Sequence, residues 1–296
     1  MIQPPAADDS TQLDRLERLV LSILSRQDPQ SRLAWARINE LMLNAYQAAG
    51  LNYLKRHVYW WYVKTVMTRC AKQGKRLPEI EARLRRLYRR RREKFYYPAS
   101  LKRAEGSFER IKDYLVGSSV LDLGAGNGLL GQSIHDRTNM TVMLADVIDY
   151  SVASLPLLLF PQGGRVPLDD QAVDCTILYV VLHHADDPLH LLKEAARVTK
   201  QRVIIVEGYV EDETIYLTNS FLDWFLNRVN QGADINLPLN YHKQEQWYAM
   251  FDSVGLQPVK TEVLGIDEPV APECHVLYVL DKKESLLPTA SASERR

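Results

Sequence analysis

From about Thr11 to Gln27 the apolar residues Leu13, Leu16, Leu19, Val20, Ile23 and Leu24 recur at spacings of three and four. That period predicts an amphipathic helix, which Asp28-Pro29 ends. A second helix is predicted over Ser31 to Ala49, with Leu33, Ile38, Leu41, Met42 and Tyr46 inward and Gly50 as its stop. A third runs from about Asn52 to Gln73 and stops at Gly74. Its block Val58-Tyr59-Trp60-Trp61-Tyr62-Val63 is expected to pack on several sides, because aromatic residues mostly serve cores; the functional alternatives are a pocket wall or a membrane-surface anchor. Helical spacing continues through Ile80, Leu84, Leu87 and Tyr88. Tyr97-Pro98 marks a boundary, and a further helix is expected from about Ala99 to Leu115.

The pattern then changes to short apolar runs. Strands are predicted at Val120 to Leu123, at Thr141 to Ala145 ending on Asp146, in the run led by Asp174 that ends near Leu182, and at Arg202 to Glu207. Helices are expected after the glycines at Gly128 and from Leu189 to Thr199. Strands alternating with helices imply a doubly wound, mostly parallel α/β sheet. Beyond it come a helix containing Phe221 to Phe225, a loop from Asn236 to His242, a helix around Gln244 to Val254, and strands at Pro258 to Leu264 and His275 to Leu280. The division read from this is a disordered tail (1–10), a helical region (11–97), an α/β domain (98–282) and a second disordered tail (283–296).

Composition changes the picture in one place. With 46% hydrophobic residues in 296, the chain has material for a core, and its formal net charge is zero. Between Arg69 and Arg103, however, fourteen Lys and Arg face three Glu, so this segment carries +11 and the remainder −11. Eight of the basic residues lie between Arg83 and Lys94. A charge run is usually a solvated face or docks on an acidic surface of the same chain, ahead of RNA or an anionic membrane as partner. Cys70, Cys175 and Cys274 have no metal-binding or disulfide spacing, and no metal is expected. The N-terminus lacks the order of a signal peptide and no run approaches the ~20 apolar residues of a spanning helix, so a cytoplasmic location is expected.

The chemistry-bearing stretch is Val120-Leu121-Asp122-Leu123-Gly124-Ala125-Gly126-Asn127-Gly128. A strand that turns through glycines into a helix presents backbone N–H groups to a cofactor. Two frames fit. Gly126, Gly128 and Gly131 match the dinucleotide pattern G-x-G-x-x-G, with Asp146 about 20 residues on. The other frame, Asp122-x-Gly124-x-Gly126-x-Gly128, also uses the carboxylate and is favoured. Asp146 then ends the second strand, where an acid can accept from vicinal ribose hydroxyls; a helix N-cap is the plainer alternative.

The acid-first glycine loop, and the Asp-led strand ending in Leu182-His183-His184 with an acidic Pro-containing loop, resemble class I S-adenosylmethionine-dependent methyltransferases over about Ala99 to Leu280. Within them the chain looks closest to the small-molecule group that includes quinone-biosynthesis C-methyltransferases. The resemblance implies a seven-stranded Rossmann-like sheet closed by a hairpin pair, with S-adenosyl-L-methionine as cofactor. By position, Asp122, Gly124, Ala125, Gly126 and Gly128 would cradle its methionine part. Asp146 and Val147 would lie at the ribose, Gln162, Gly163 and Gly164 beside adenine, and Tyr179 at the end of the fourth strand. Gln162 stands where the family commonly has an acid, and Lys200-Gln201-Arg202 replaces the usual Pro-Gly-Gly. His183 is the candidate general base or acceptor-orienting group, with Glu207, Tyr241 and His242 behind it. A small-molecule acceptor and in-line transfer without metal are expected. RNA modification through the basic helix, or cofactor binding without catalysis, are the alternatives.

Overall fold

The computed structural model describes residues 9–232, 235–268 and 270–283, without the side chains of 9–11 and 89–99. The two tails read as disordered fall almost entirely outside those residues, as do the side chains of Arg89, Arg90, Arg91, Arg92 and Lys94. Four helices open the chain: α1 (Asp9–Ser25), α2 (Pro29–Ala48), α3 (Tyr53–Lys72) and α4 (Leu77–Ile111). The residues between them act as caps. The Asp28 carboxylate accepts from the Ser31 N–H at 2.8 Å, with Pro29 at the first helical position, and Asn52 caps α3 through the Lys55 N–H at 3.0 Å.

Three local expectations fail here. Tyr97-Pro98 is no boundary, because α4 runs through it unbroken. Proline removes one helical hydrogen bond and does not forbid the next turn. Leu33, expected inward, is exposed. The aromatic block of α3 does not pack on several sides: Trp60 and Val63 are buried, while Val58, Trp61 and Tyr62 are open, Trp61 at 61%. The helix buries one stripe, and the rest of its surface faces solvent or a cavity.

The sheet follows, built from β1 (Ser119–Leu123), β2 (Thr141–Asp146), β3 (Leu157–Leu159), β4 (Val173–Tyr179), β5 (Thr199–Gly208), β6 (Leu256–Ile266) and β7 (Cys274–Lys282). Between them lie α5 (Leu129–Arg137), α6 (Pro188–Val198), α7 (Glu213–Asp223) and α8 (Gln244–Ser253). The order is β3-β2-β1-β4-β5-β7-β6. β1 to β5 pair in parallel, and β7 lies antiparallel between β5 and β6. A dinucleotide fold has the all-parallel order 3-2-1-4-5-6; the inserted antiparallel strand sets this sheet apart. β3 is too short for its own hydrophobic period to announce it. The chain reverses winding between β1 and β4, which opens a crevice at their C-terminal ends.

The helical region and the sheet are joined by one core. Trp35 meets Phe221 edge-on at 5.9 Å, Trp60 meets Phe225 at 5.9 Å, and Tyr88 meets Phe225 at 5.7 Å. α7 and the π-helical run Trp224–Gln231 after it are therefore packed against α2, α3 and α4. Among the described residues no helix is long and apolar enough to cross a membrane. Trp60→Ala should destabilise the fold by about 3–5 kcal/mol. Urea unfolding should show one transition shifted as a whole; two separable transitions, with only the first shifted, would mean that the helical region folds on its own.

Candidate active site

The loop after β1 is held by its own backbone. Gly124 and Ala125 donate to the Ala145 carbonyl at 2.8 and 3.1 Å. Gly124, Gly126 and Gly128 all have positive φ, at 76, 56 and 74°. A Cβ on Gly124 would stand 2.3 Å from Val181 Cγ2, so only glycine lets the loop pass the end of β4. Gly131 is different: it is helical, and a Cβ there would stand 2.3 Å from Leu144 Cδ2. The turn glycines are thus those of the acid-first frame, while Gly131 serves the packing of α5 on β2.

Two carboxylates brace the loop. Asp122 Oδ2 accepts from the Gly131 N–H at 3.0 Å. Burial raises the Asp122 pKa to about 7, against the pull of that hydrogen bond. Asp146 Oδ2 accepts from the Gly126 N–H at 2.7 Å, and Oδ1 from Val147 and Ile148 at 2.6 and 3.2 Å. No helix begins at Asp146, so it is not an N-cap.

A cavity of about 1200 Å³ opens on this loop. Asp122, Gly124, Ala125, Gly126, Asp146, Val147, Gln162, Gly163, Gly164 and Tyr179 line it. Gly128 does not; it turns into α5 with Ser151 and Ala153 over it. The cavity continues between α2, α3, α4 and the π-helical run, past Ala45, Ala49, Val58, Tyr59, Tyr62 and Leu226. The open side of α3 is therefore in part a pocket wall. Tyr179 donates to Glu268 Oε1 at 2.9 Å, and Glu268 also pairs with Arg103 from α4.

His183 is not on the cavity surface; its neighbour His184 is. Both sit on a single 3-10 turn, Leu182–His184. His183 Nδ1 lies 2.7 Å from Glu207 Oε2, and its ring stacks on Tyr241 at 4.8 Å. Glu207 Oε1 accepts from the Val181 and Leu182 N–H groups. His184 Nδ1 lies 3.2 Å from the Asn236 carbonyl, which places the predicted loop Asn236 to His242 as a clamp on the turn. Burial works against charge on His183, but Glu207 and then Asp223 outweigh it and lift the pKa to about 9. Burial and the neighbouring His183 push His184 well below its ordinary value. Burial lifts Asp223, which does line the cavity, to about 7. Glu207, Tyr241 and His242 do not line it. Asp223, Glu273 and Arg103 line it without having been singled out from the sequence. Asp223 sits in an apolar helix with no motif around it, and only its burial marks it.

Residues 121–206 match the family model described as a methyltransferase domain. The chain carries an S-adenosylmethionine-dependent methyltransferase domain. The match spans β1 through β5 up to Val206, and so includes the glycine loop, Asp146 and the histidine turn. Among curated proteins none matches the chain. Solved structures similar to it include a chain of the complex between the Haloferax volcanii Trm112 methyltransferase activator and the putative methyltransferase. That pair shares 17% identity, with 62% of this chain and 96% of the other covered and a TM-score of 0.44. A SAM-dependent methyltransferase from Aquifex aeolicus shares 17% (58% and 87% covered, TM-score 0.41), and the Bacillus subtilis YcgJ protein 16% (61% and 99% covered, TM-score 0.46). Likenesses at this level say nothing of the acceptor.

S-adenosylmethionine is the methyl donor of the methyltransferase domain. The residues present suit it: a glycine turn with no side chain to fill the approach at Gly126, and carboxylates at the ends of the first two strands. Gly124→Ala should abolish detectable binding of S-adenosylhomocysteine in calorimetry, because both its φ and its contact with Val181 exclude a methyl group. Unchanged affinity would mean that the loop can move off β4. Asp122 gives a pH-dependent prediction. The unfolded carboxyl ionises near 3.8 and the folded one near 7, so the fold favours its neutral form and loses that contribution as pH rises through 7. Asp122→Asn stays neutral. Its stability relative to wild type should therefore rise between about pH 4 and about pH 7, by on the order of 1–4 kcal/mol. A difference that does not change with pH would show that the Asp122 carboxylate is hydrated.

Proposed function

We propose that the methyltransferase domain acts on a small, largely apolar acceptor held between the helical region and the sheet. The observation that carries this is the continuous cavity. Its volume exceeds the roughly 300–1,000 Å³ of a pocket for one drug-sized ligand. One arm lies on the glycine loop and the other runs among apolar side chains of α2 and α3. In this reading the loop Gly124 to Asn127 and Asp122 hold the methionine part. Asp146 takes the ribose and Gln162 to Gly164 flank adenine, where the Gln162 carbonyl can accept from the adenine amino group. Asp146 already receives N–H donors from Gly126, Val147 and Ile148. A ribose hydroxyl then shares or displaces the Gly126 contact.

Bound there, the cofactor supplies an electrophilic methyl group. The chain's part is to align the acceptor, expel water and fix the acceptor's polar end, which is where positioning lowers the barrier. His183 is buried behind the wall and acts through its neighbours rather than as a base in contact with the acceptor. The helices α2 and α3 serve as the lid of the apolar arm. The likeness to quinone-biosynthesis enzymes is compatible with an elongated lipophilic acceptor. The described part of the basic helix supports an RNA partner less, because Arg76 pairs with Glu17 and Arg85 with Glu81.

Ala49 at the end of α2 lines the apolar arm. Ala49→Trp should lower turnover of an organic-extractable acceptor by about tenfold or more, while the affinity for S-adenosylhomocysteine stays within about twofold. With labelled cofactor and a cell extract, label should enter the organic phase. Label entering RNA instead, with Ala49→Trp as active as wild type, would refute the small-molecule reading.

A further inference from the structure

We infer that the cavity wall carries a binding site for a first-row divalent transition-metal cation, formed by His183 Nε2, His184 Nε2 and an Asp223 carboxylate oxygen. One ligand atom from each of the three residues lies within 4.8 Å of the others. Both imidazoles are already oriented. His183 Nδ1 is held by Glu207 at 2.7 Å and His184 Nδ1 by the Asn236 carbonyl at 3.2 Å, so both Nε2 atoms turn toward Asp223. Metal-binding histidines are fixed in this way, with a carboxylate or carbonyl on the remote ring nitrogen setting the tautomer. Asp223 is oriented as well: its Oδ1 accepts from Asn227 Nδ2 at 2.6 Å.

Two of the atoms that face the gap make no hydrogen bond of good geometry, although the Tyr241 hydroxyl lies beside Asp223. His183 Nε2 and Asp223 Oδ2 are fully buried and have no hydrogen-bond partner among the described residues. Their mutual distance of 3.9 Å is too long for a hydrogen bond. Among the described residues the ion partners of the buried Asp223 and Glu207 are His183 and His184 only; no Lys or Arg pairs with either. Two buried carboxylates and two imidazoles thus share one enclosed cluster in which no described lysine or arginine pairs with a carboxylate, a donor set that a cation would complete. The second cluster of this kind, Asp267, Glu268 and His275, lacks that need, because Arg110 pairs with Asp267 and Arg103 with Glu268. Asp223 is also where α7 passes into the π-helical run, a backbone irregularity common at functional sites.

Two imidazoles and one carboxylate suit Zn²⁺, Fe²⁺ or Co²⁺ rather than Mg²⁺ or Ca²⁺. Three protein ligands leave a coordination position open. His184 and Asp223 line the cavity, so that position faces it and would take an oxygen or nitrogen of the acceptor. This departs from the expectation, drawn from sequence, of a site without metal. The role rests on the small-molecule reading above; the site does not.

The test uses the untagged full chain, stripped with a chelator and titrated with Zn²⁺, Co²⁺ and Mg²⁺. About one Zn²⁺ or Co²⁺ per chain is expected, with visible absorption from bound Co²⁺ and no saturable Mg²⁺ uptake. His184→Ala and Asp223→Asn should abolish uptake, and Glu207→Gln should weaken it by about 10–100-fold. S-Adenosylhomocysteine binding, measured in parallel, should be unchanged in all three. A wild-type chain that binds S-adenosylhomocysteine but takes up neither Zn²⁺ nor Co²⁺ would overturn the inference and assign the buried charge to a protonated His183. Uptake that survives both ligand substitutions would overturn it too. Metal uptake without any S-adenosylhomocysteine binding would instead count against the methyltransferase reading.

Discussion

The loop that leaves β1 must turn with no side chain between itself and the end of β4, and it must still satisfy its backbone N–H groups. Glycine solves the first problem and carboxylate solves the second. Gly124 passes within the space of Val181, while Asp122 and Asp146 accept from Gly131 and Gly126. A buried carboxylate without donors would be costly, and an unpaired N–H at the mouth of a cavity nearly as much. Each brace therefore stabilises the other half of its own contact. The cavity opens at the free side of this arrangement, because the strands on either side of β1 diverge there.

The second constraint is the shared aromatic core. Phe221 and Phe225 belong in sequence to the sheet half, yet their ring partners include Trp35, Trp60 and Tyr88 of the helical half. Because the bundle is anchored there, α2 and α3 stand over the crevice at the glycine loop and extend it into an apolar arm. The same anchoring explains the open face of α3. A helix held by one stripe against a bundle has other faces to give to a cavity and to solvent.

Buried polarity is distributed unevenly. Where carboxylates meet α4, arginines balance them, as at Asp267 and Glu268. Around the histidine turn, among the described residues, the ion partners of Glu207 and Asp223 are imidazoles. Tyr241 stacks on one ring, Asn227 holds one carboxylate oxygen, and the Asn236 to His242 segment clamps the turn. A polar cluster held from so many sides keeps its geometry, and this gives a ligand a fixed set of donor atoms rather than a flexible one.

Much of the architecture was legible in the chain itself. Periodicity located α1, α2 and α3, which bury one stripe, while short apolar runs located β1, β2 and β4, which are buried on both faces for most of their length. The glycine loop was legible because positive φ and close approach demand one residue type. Asp146 stood out by its place at a strand end. Local rules failed where a long-range contact outvoted them. Pro98 did not end α4, Leu33 and Trp61 stayed exposed, and the three residues of β3 pair with β2. The exchange of His183 for His184 at the cavity surface was decided by the turn that carries them, since adjacent residues on a tight turn face different ways. Asp223 is the clearest case. It lies 39 positions from His184, and no spacing rule connects them. Sequence determines which side chains can bind a cofactor or a cation; the packing of α7 against the bundle decides which of them meet.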